Sequence, residues 1–178
     1  RWRCSRATCS IAHGTTRRPI ETRRGMTRID FYLLPVSEPH GKLSFACRLA
    51  EKAWQSGHQV YVHASDTAEA GAIDALLWSF RDTSFVPHRL LGAAEGEPAP
   101  VEVGSGEAAA DHHDVMINLS AAVPPLFSRF ERVAEIVLND PHALAASRQR
   151  WSFYKDRGYQ LQHHDMQHLR SAGDRDNA

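Results

Sequence analysis

The sequence predicts an α/β domain with a mostly parallel sheet, because a strand followed by a helix occurs twice in its first half. Residues 28–34 (RIDFYLL) form a β-branched and aromatic run that predicts a buried strand, and residues 43–55 carry apolar side chains at helical spacing. Residues 58–64 (HQVYVHA) alternate as a second strand, and a second helix follows through Trp78. This order of elements is typical of a parallel sheet with right-handed crossovers.

Capping residues and prolines set the boundaries of the later elements. Ser65 or Asp66 can cap the second helix, and Asn139 or Asp140, followed by Pro141, can begin the last long helix. The remaining predicted elements are a strand-like piece at 85–88, strands at 101–103, 114–119 and 133–138, a short helix containing Leu126, Phe127 and Phe130, the last helix to Arg157, and an edge strand at 159–161.

Composition divides the chain into three parts. Residues 1–25 are rich in Arg, Ser and Thr and have no hydrophobic period, so we expect a disordered basic leader upstream of a true start at Met26. A transit peptide or a functional basic tail would share this composition. Residues 26–162 predict a single domain, and residues 163–178 a polar tail.

The charge is divided unevenly along the chain. The whole chain has 21 basic and 21 acidic residues, but the leader holds seven arginines against one glutamate, which leaves 14 basic and 20 acidic residues after it. An acidic domain is poorly suited to grip phosphates, because affinity for nucleic acid is built from clustered lysines and arginines. We therefore expect no direct contact with nucleic acid, and any service to DNA to pass through another protein.

The cysteines and the hydrophobic runs indicate the cellular compartment in which we expect the protein. The three cysteines, Cys4, Cys9 and Cys47, are too few and too scattered for a disulfide framework or a thiolate metal site. No stretch approaches the roughly 18 apolar residues that a membrane-spanning helix needs. The sequence thus predicts a cytoplasmic protein without a membrane partner.

The pair Gly41-Lys42 has a superficial likeness to a phosphate loop, because it follows a strand and opens a helix. The spacing fails, since the phosphate loop needs a glycine five residues before the pair and Ser or Thr directly after it, and this chain has Val36 and Leu43 there. No nucleophile elbow or carboxylate pair stands out either. We expect no cofactor, and the sequence offers no positive case for catalysis.

Two histidine-rich segments, 112–114 and 163–168, raise the question of a metal site. His164 and His168 would share a face if the second segment were helical. No fold argument brings a second set of ligands near either segment, so we expect solvated histidines and no metal.

The last helix carries a stripe that combines cations with an aromatic side chain. Arg148, Trp151, Ser152 and Lys155 lie at i, i+3, i+4 and i+7 and so share one face. A solvated surface with cations lying over Trp151 is one interpretation, and a pocket for an acidic, aromatic peptide is the other. The better candidate for the core-facing side is the neighbouring stripe: Ala143, Ala146, Arg150, Phe153 and Tyr154.

Several separated blocks resemble the DNA polymerase III chi subunit family, from Met26 to about Leu161. In chain order they are RIDFYLL, WQSG, ALLWSF, SFVPH, APVEV, DVMINLS and RWSFYKDRGYQL. The resemblance implies a Rossmann-like three-layer α/β domain without nucleotide chemistry. It also implies two partners, the acidic C-terminal tail of single-stranded DNA-binding protein and the psi subunit that leads to the clamp loader.

The resemblance places two sites on this chain. The tail pocket would use Trp78, Val137, Arg148 and Trp151, and Phe85 matches a family aromatic on a separate, psi-facing surface. Two residues depart from the enterobacterial type of the family, because Ser152 and Leu144 stand where such members carry lysines. The pocket is then either weaker or dependent on Arg150 or Lys155.

The sequence therefore favours a non-catalytic replisome adaptor, part of the DNA polymerase III holoenzyme by resemblance. The alternative is a small Rossmann-like nucleotide-binding protein or enzyme, which rests on the order of strands and helices and on Gly41-Lys42. Fold alone does not decide between them.

Overall fold

Seven strands form one parallel sheet in the computed structural model of the chain. The structure describes residues 26–81, 85–92, 98–106, 112 and 114–166. The strands are β1 (Arg28–Leu33), β2 (Val60–His63), β3 (His88–Leu90), β4 (Val101–Gly104), β5 (Val115–Asn118), β6 (Arg132–Val137) and β7 (Gln160–Asp165). Their order across the sheet is β3-β4-β2-β5-β6-β1-β7. The predicted α/β fold with a mostly parallel sheet is confirmed.

Three helices cover the two faces of this sheet. They are α1 (Pro39–Gln55), α2 (Thr67–Ser79) and α3 (Pro141–Asp156), and a short 3-10 turn (Phe127–Arg129) precedes β6. Alternation along each strand sends neighbouring side chains to opposite faces. On one face Val60 and Val62 pack with α1 and α2, and on the other Tyr61 and Phe31 pack with α3. The result is a three-layer arrangement with α2 and α3 on opposite faces.

The helix caps follow the sequence rules closely. Asp66 caps α2 by accepting from the Glu69 backbone N–H over 2.7 Å, and Asp140 caps α3 by accepting from the N–H groups of His142 and Ala143. The sequence offers two capping candidates for each of these helices, and in both cases the aspartate is the residue that caps. Pro141 occupies the first turn of α3, where its missing N–H costs no hydrogen bond.

The start of α1 differs from the prediction. The helix begins at Pro39 rather than at Leu43, because a proline suits the first helical position while the polar first turn shows no hydrophobic period. Gly41 and Lys42 thus lie within the helix and not in a loop before it.

The two edge strands also differ from their predictions. The predicted piece at 85–88 contributes only its last residue, because Pro87 has no N–H for the ladder and β3 begins at His88. At the other edge, β7 was predicted to end at Leu161 but continues to Asp165 and pairs with all of β1. The histidines at 163 and 164 are therefore part of the sheet.

Burial of His63 makes the stability of the fold depend on pH. Burial lowers the pKa of His63 from its ordinary value, and its Nδ1 has no hydrogen-bond partner. The folded state thus binds fewer protons at His63 than the unfolded state does. The contribution of His63 to the free energy of unfolding is therefore fully present above about pH 6.5, the ordinary pKa of histidine, and is lost as the pH falls.

We therefore expect the melting temperature to fall on acidification from about pH 7.5 to about pH 5.5, across the histidine range. His63→Gln should reduce this fall, whereas the exposed control His142→Gln should not. Calorimetry at the two pH values measures the difference, and an unchanged pH response in His63→Gln would contradict the assignment.

Candidate functional site

A buried polar network fixes α3 on the sheet. Glu135 of β6 is fully buried and accepts from Arg150 Nε over 3.0 Å, from Tyr154 Oη over 2.7 Å and from Asn118 Nδ2 over 2.9 Å. Arg150 also donates to the Ala121 carbonyl over 2.7 Å. Burial raises the pKa of Glu135, and the nearby guanidinium opposes that rise. The helix is thereby held in one rotational setting.

This setting decides which face of α3 is free. Arg150 and Tyr154, on the stripe predicted to face the core, are buried, while Arg148 is exposed and Trp151 is half-buried. Arg150 donates to Glu135 and to the Ala121 carbonyl and so lies on the buried side of α3, apart from Arg148. This position does not support the interpretation that Arg150 replaces a missing pocket lysine.

A cleft of about 130 Å³ lies between α3 and strands β1, β6 and β7, and we call it the α3 cleft. The Trp151 ring packs on Phe31 with centroids 5.0 Å apart and forms part of the apolar wall. Arg148, one turn before Trp151, brings a cation to the cleft. The residues lining the α3 cleft are Phe31, Leu33, Val137, Leu144, Ser147, Arg148, Trp151 and His163.

The α3 cleft brings together three of the four residues that the resemblance implies for the tail pocket, and it does not include the substitute cation Lys155. Val137, Arg148 and Trp151 line it, whereas Lys155 is exposed farther along α3 and does not. Trp78 is not brought to it, because α2 packs on the opposite face of the sheet. The structure thus does not bring Trp78 and Lys155 together with the other three residues in the α3 cleft.

Trp78 instead packs with Phe85 and His88 in a group of aromatic rings, which we call the Trp78 patch. The Trp78 ring lies 5.5 Å from that of Phe85 and 4.8 Å from that of His88. Trp78 is 59% exposed and Phe85 is 61% exposed. These fractions are high, because large aromatic side chains usually bury most of their surface. The ring of His88 is buried beneath these two rings, with Nδ1 2.7 Å from the Val86 carbonyl oxygen.

The Trp78 patch has the features of a protein interface. Adjacent exposed aromatics on a soluble domain mark an interaction surface more often than scattered single ones do. Two of the four large apolar side chains that are exposed among the described residues lie in this patch. The sequence did not predict this contact, because it depends on how Phe85 packs against α2.

Lys42 is already engaged, which removes the main support for a phosphate site. Its Nζ forms an ion pair with Glu69 and donates to the Leu119 carbonyl over 3.0 Å. The side chains of Lys42 and Glu69 are about 15% exposed. The lysine thus ties α1 to α2 and to the end of β5.

The histidine-rich segments have structural roles that composition did not reveal. His112 is buried, contrary to the expectation of a solvated side chain, and its Nδ1 lies 3.1 Å from Glu102 Oε2. His164 stacks on Tyr32 with ring centroids 4.7 Å apart. His168 lies outside the described residues. Within the described part of the chain, no three His, Cys, Asp or Glu side chains are grouped to hold a metal ion, and no helix is long and apolar enough to cross a membrane.

Comparison with known proteins decides the family. Residues 26–162 match the family described as DNA polymerase III chi subunit, HolC. The chain belongs to the chi subunit family. It is 46% identical to DNA polymerase III subunit chi of Pseudomonas aeruginosa over 79% of this chain and 98% of that protein. The identity to subunit chi is 30% for Haemophilus influenzae (74% of this chain, 92% of that protein) and 28% for Escherichia coli (76% and 96%).

A solved structure also shares the fold of this chi-family chain. The crystal structure of T4 UvsW superposes with a TM-score of 0.55 at 11% sequence identity, over 78% of this chain and 42% of the UvsW chain. At that identity the likeness concerns the fold alone.

Sequence reasoning missed four residues of the α3 cleft: Phe31, Leu33, Ser147 and His163. The alternation of β1 was a usable signal for Phe31 and Leu33, because it places both on the face that α3 covers. His163 gave no such signal, since the sequence placed it in a polar tail. Helical spacing was a usable signal for Ser147, because it lies four residues before Trp151 on the same face of α3.

Proposed function

We propose that this chi-family chain is a non-catalytic adaptor of the DNA polymerase III holoenzyme that acts in the cytoplasm. It binds the acidic C-terminal tail of single-stranded DNA-binding protein in the α3 cleft. It binds the psi subunit of the clamp loader through the Trp78 patch. The observation that carries the proposal is the α3 cleft, where Arg148 and Trp151 lie beside an apolar wall.

The chemistry of the α3 cleft suits the end of an acidic peptide. A guanidinium donates two parallel hydrogen bonds to a carboxylate, and an aromatic wall packs against an apolar terminal side chain. At about 130 Å³ the cleft holds one side chain and not a nucleotide or a drug-sized molecule. The α3 cleft should therefore select a chain end that carries both carboxylates and an apolar terminal side chain.

The two surfaces are separated by the sheet, which supports a linking role. α2 and its Trp78 patch lie on one face, and α3 with its cleft lies on the other. A partner on either surface therefore leaves the other accessible. An adaptor needs this arrangement, because it must hold two proteins at once.

A thermal-shift comparison separates the adaptor from a nucleotide-binding enzyme. Ligands that bind only the folded state raise the melting temperature. A short peptide with several aspartates and a C-terminal phenylalanine should stabilise the chain, and ATP or a dinucleotide should not. Stabilisation by the nucleotide alone would contradict the adaptor.

The Trp78 patch should behave as a binding hot spot for psi alone. Phe85→Ala and Trp78→Ala should each weaken psi binding by about tenfold or more, because exposed aromatics at interface centres dominate affinity. Affinity for the tail peptide should stay unchanged, since that site lies across the sheet.

Titration of labelled psi and of labelled peptide against each variant measures both affinities. Val36→Ala is the matched control, because Val36 is also an exposed apolar residue but is not part of the Trp78 patch. If a folded Phe85→Ala protein lost affinity for psi and for the tail peptide to the same extent, that result would count against two separate surfaces.

A further inference from the structure

His163 lies in the α3 cleft that Arg148 also lines. In β7 it is the register partner of Phe31, and it reaches the cleft that Phe31 and Trp151 line. The adjacent His164 points to the other face, where its Nε2 lies 3.4 Å from the buried Asp30 Oδ1. Alternation along the strand thus gives the two histidines different surroundings, and His163 is the exposed one.

The α3 cleft has few positive charges for a site that binds an acidic chain. Arg148 is the only Lys or Arg side chain among its described lining residues, and Leu144 contributes an apolar wall. His163 is the one other lining group that can acquire a positive charge. Its position across the cleft from α3 suits a second contact with the carboxylates of the same ligand.

We infer that His163 is a specificity-determining residue of the α3 cleft that binds a carboxylate of the acidic tail when it is protonated. This inference rests on the proposed adaptor function and adds to it a dependence of tail affinity on pH. Aspartate side chains as a class stay ionised well below neutral pH, whereas histidine is the residue type that usually gains its charge between about pH 8 and pH 5.

The surroundings of His163 are compatible with this role. From α3 the charged group at the cleft is Arg148, while β1 and β6 contribute the apolar Phe31, Leu33 and Val137. On β7 itself Asp165 follows two residues later, on the same side of the strand. Arg148 and Asp165 are therefore the charged groups on the elements packed around His163.

The test is a titration of the full chain with a labelled peptide that carries several aspartates and a C-terminal phenylalanine. The affinity of the wild type should increase by roughly three- to fivefold from about pH 8 to about pH 5.5, the gain expected for one exposed ion pair. His163→Gln should lose this increase. His142→Gln, an exposed histidine of α3 outside the α3 cleft, should keep it.

A gain-of-charge variant makes the test independent of lost stability. His163→Lys should bind at about pH 8 as tightly as the wild type does near pH 5.5, because lysine stays charged throughout this range. A His163→Gln protein with the wild-type pH response would overturn this inference and leave the adaptor intact. Absence of peptide binding at both pH values would overturn the adaptor and the inference together.

Discussion

Arg150→Ala should destabilise the fold by about 3 to 5 kcal/mol, the range found when one partner of a buried ion pair is removed. Arg150 and Glu135 are both buried, and their Nε and Oε2 atoms lie 3.0 Å apart. Without the guanidinium, Glu135 keeps Tyr154 and Asn118 as donors but loses the one cation that pairs with it among the described residues. The Ala121 carbonyl loses a donor as well.

Urea unfolding followed by circular dichroism measures this loss. Arg148→Ala is the matched control, because the same substitution at an exposed position of the same helix should change stability by no more than about 0.5 kcal/mol. Adding Glu135→Gln to Arg150→Ala should recover part of the stability, since it removes the uncompensated charge. An Arg150→Ala protein within about 1 kcal/mol of the wild type would show that the network does not hold α3.

Arg148→Ala should weaken the acidic, Phe-ended peptide by about tenfold to a hundredfold, because a charge-assisted hydrogen bond contributes about 1.5 to 3 kcal/mol. Trp151→Ala should cost a similar amount through lost apolar contact with the terminal side chain. Lys155→Ala is the matched control, since Lys155 is an exposed cation of the same helix that does not line the α3 cleft. It should change affinity by less than about threefold.

The salt response separates these two losses. Wild-type and Trp151→Ala complexes should weaken as the ionic strength rises, whereas Arg148→Ala should respond less, because one screened contact is absent. Fluorescence anisotropy at two salt concentrations gives both slopes. Wild-type affinity in a folded Arg148→Ala protein would rule out the assigned cleft.

The sequence predicted the fold well where local chemistry and tertiary structure agree. Asp140 caps α3 as its residue type requires, and Arg150 and Tyr154 are buried on the predicted stripe. The start of α1 and the length of β7 were missed because polar segments carry no hydrophobic period. It is the pairing with β1 that extends β7 to Asp165.

Residue spacing predicted the candidate site only where it lies on one element, and Val137 of β6 was added by the family resemblance. Arg148 and Trp151 share a helix face, so spacing alone brought them together. Separating Trp78 from them required knowing on which face of the sheet α2 packs, and periodicity does not contain that information. His163 was missed for a related reason, since it enters the α3 cleft through a strand pairing between residues far apart in sequence.

The central claim, that an acidic chain end binds in the α3 cleft, is tested most directly by the tryptophan indole signals in a nuclear magnetic resonance titration. Trp151 lines the α3 cleft, while Trp78 lies on the opposite face and serves as an internal control. Trp151→Phe assigns the signal. The account predicts that the peptide shifts the Trp151 indole saturably and leaves that of Trp78 in place. A saturable shift of Trp78 with Trp151 unchanged would contradict it.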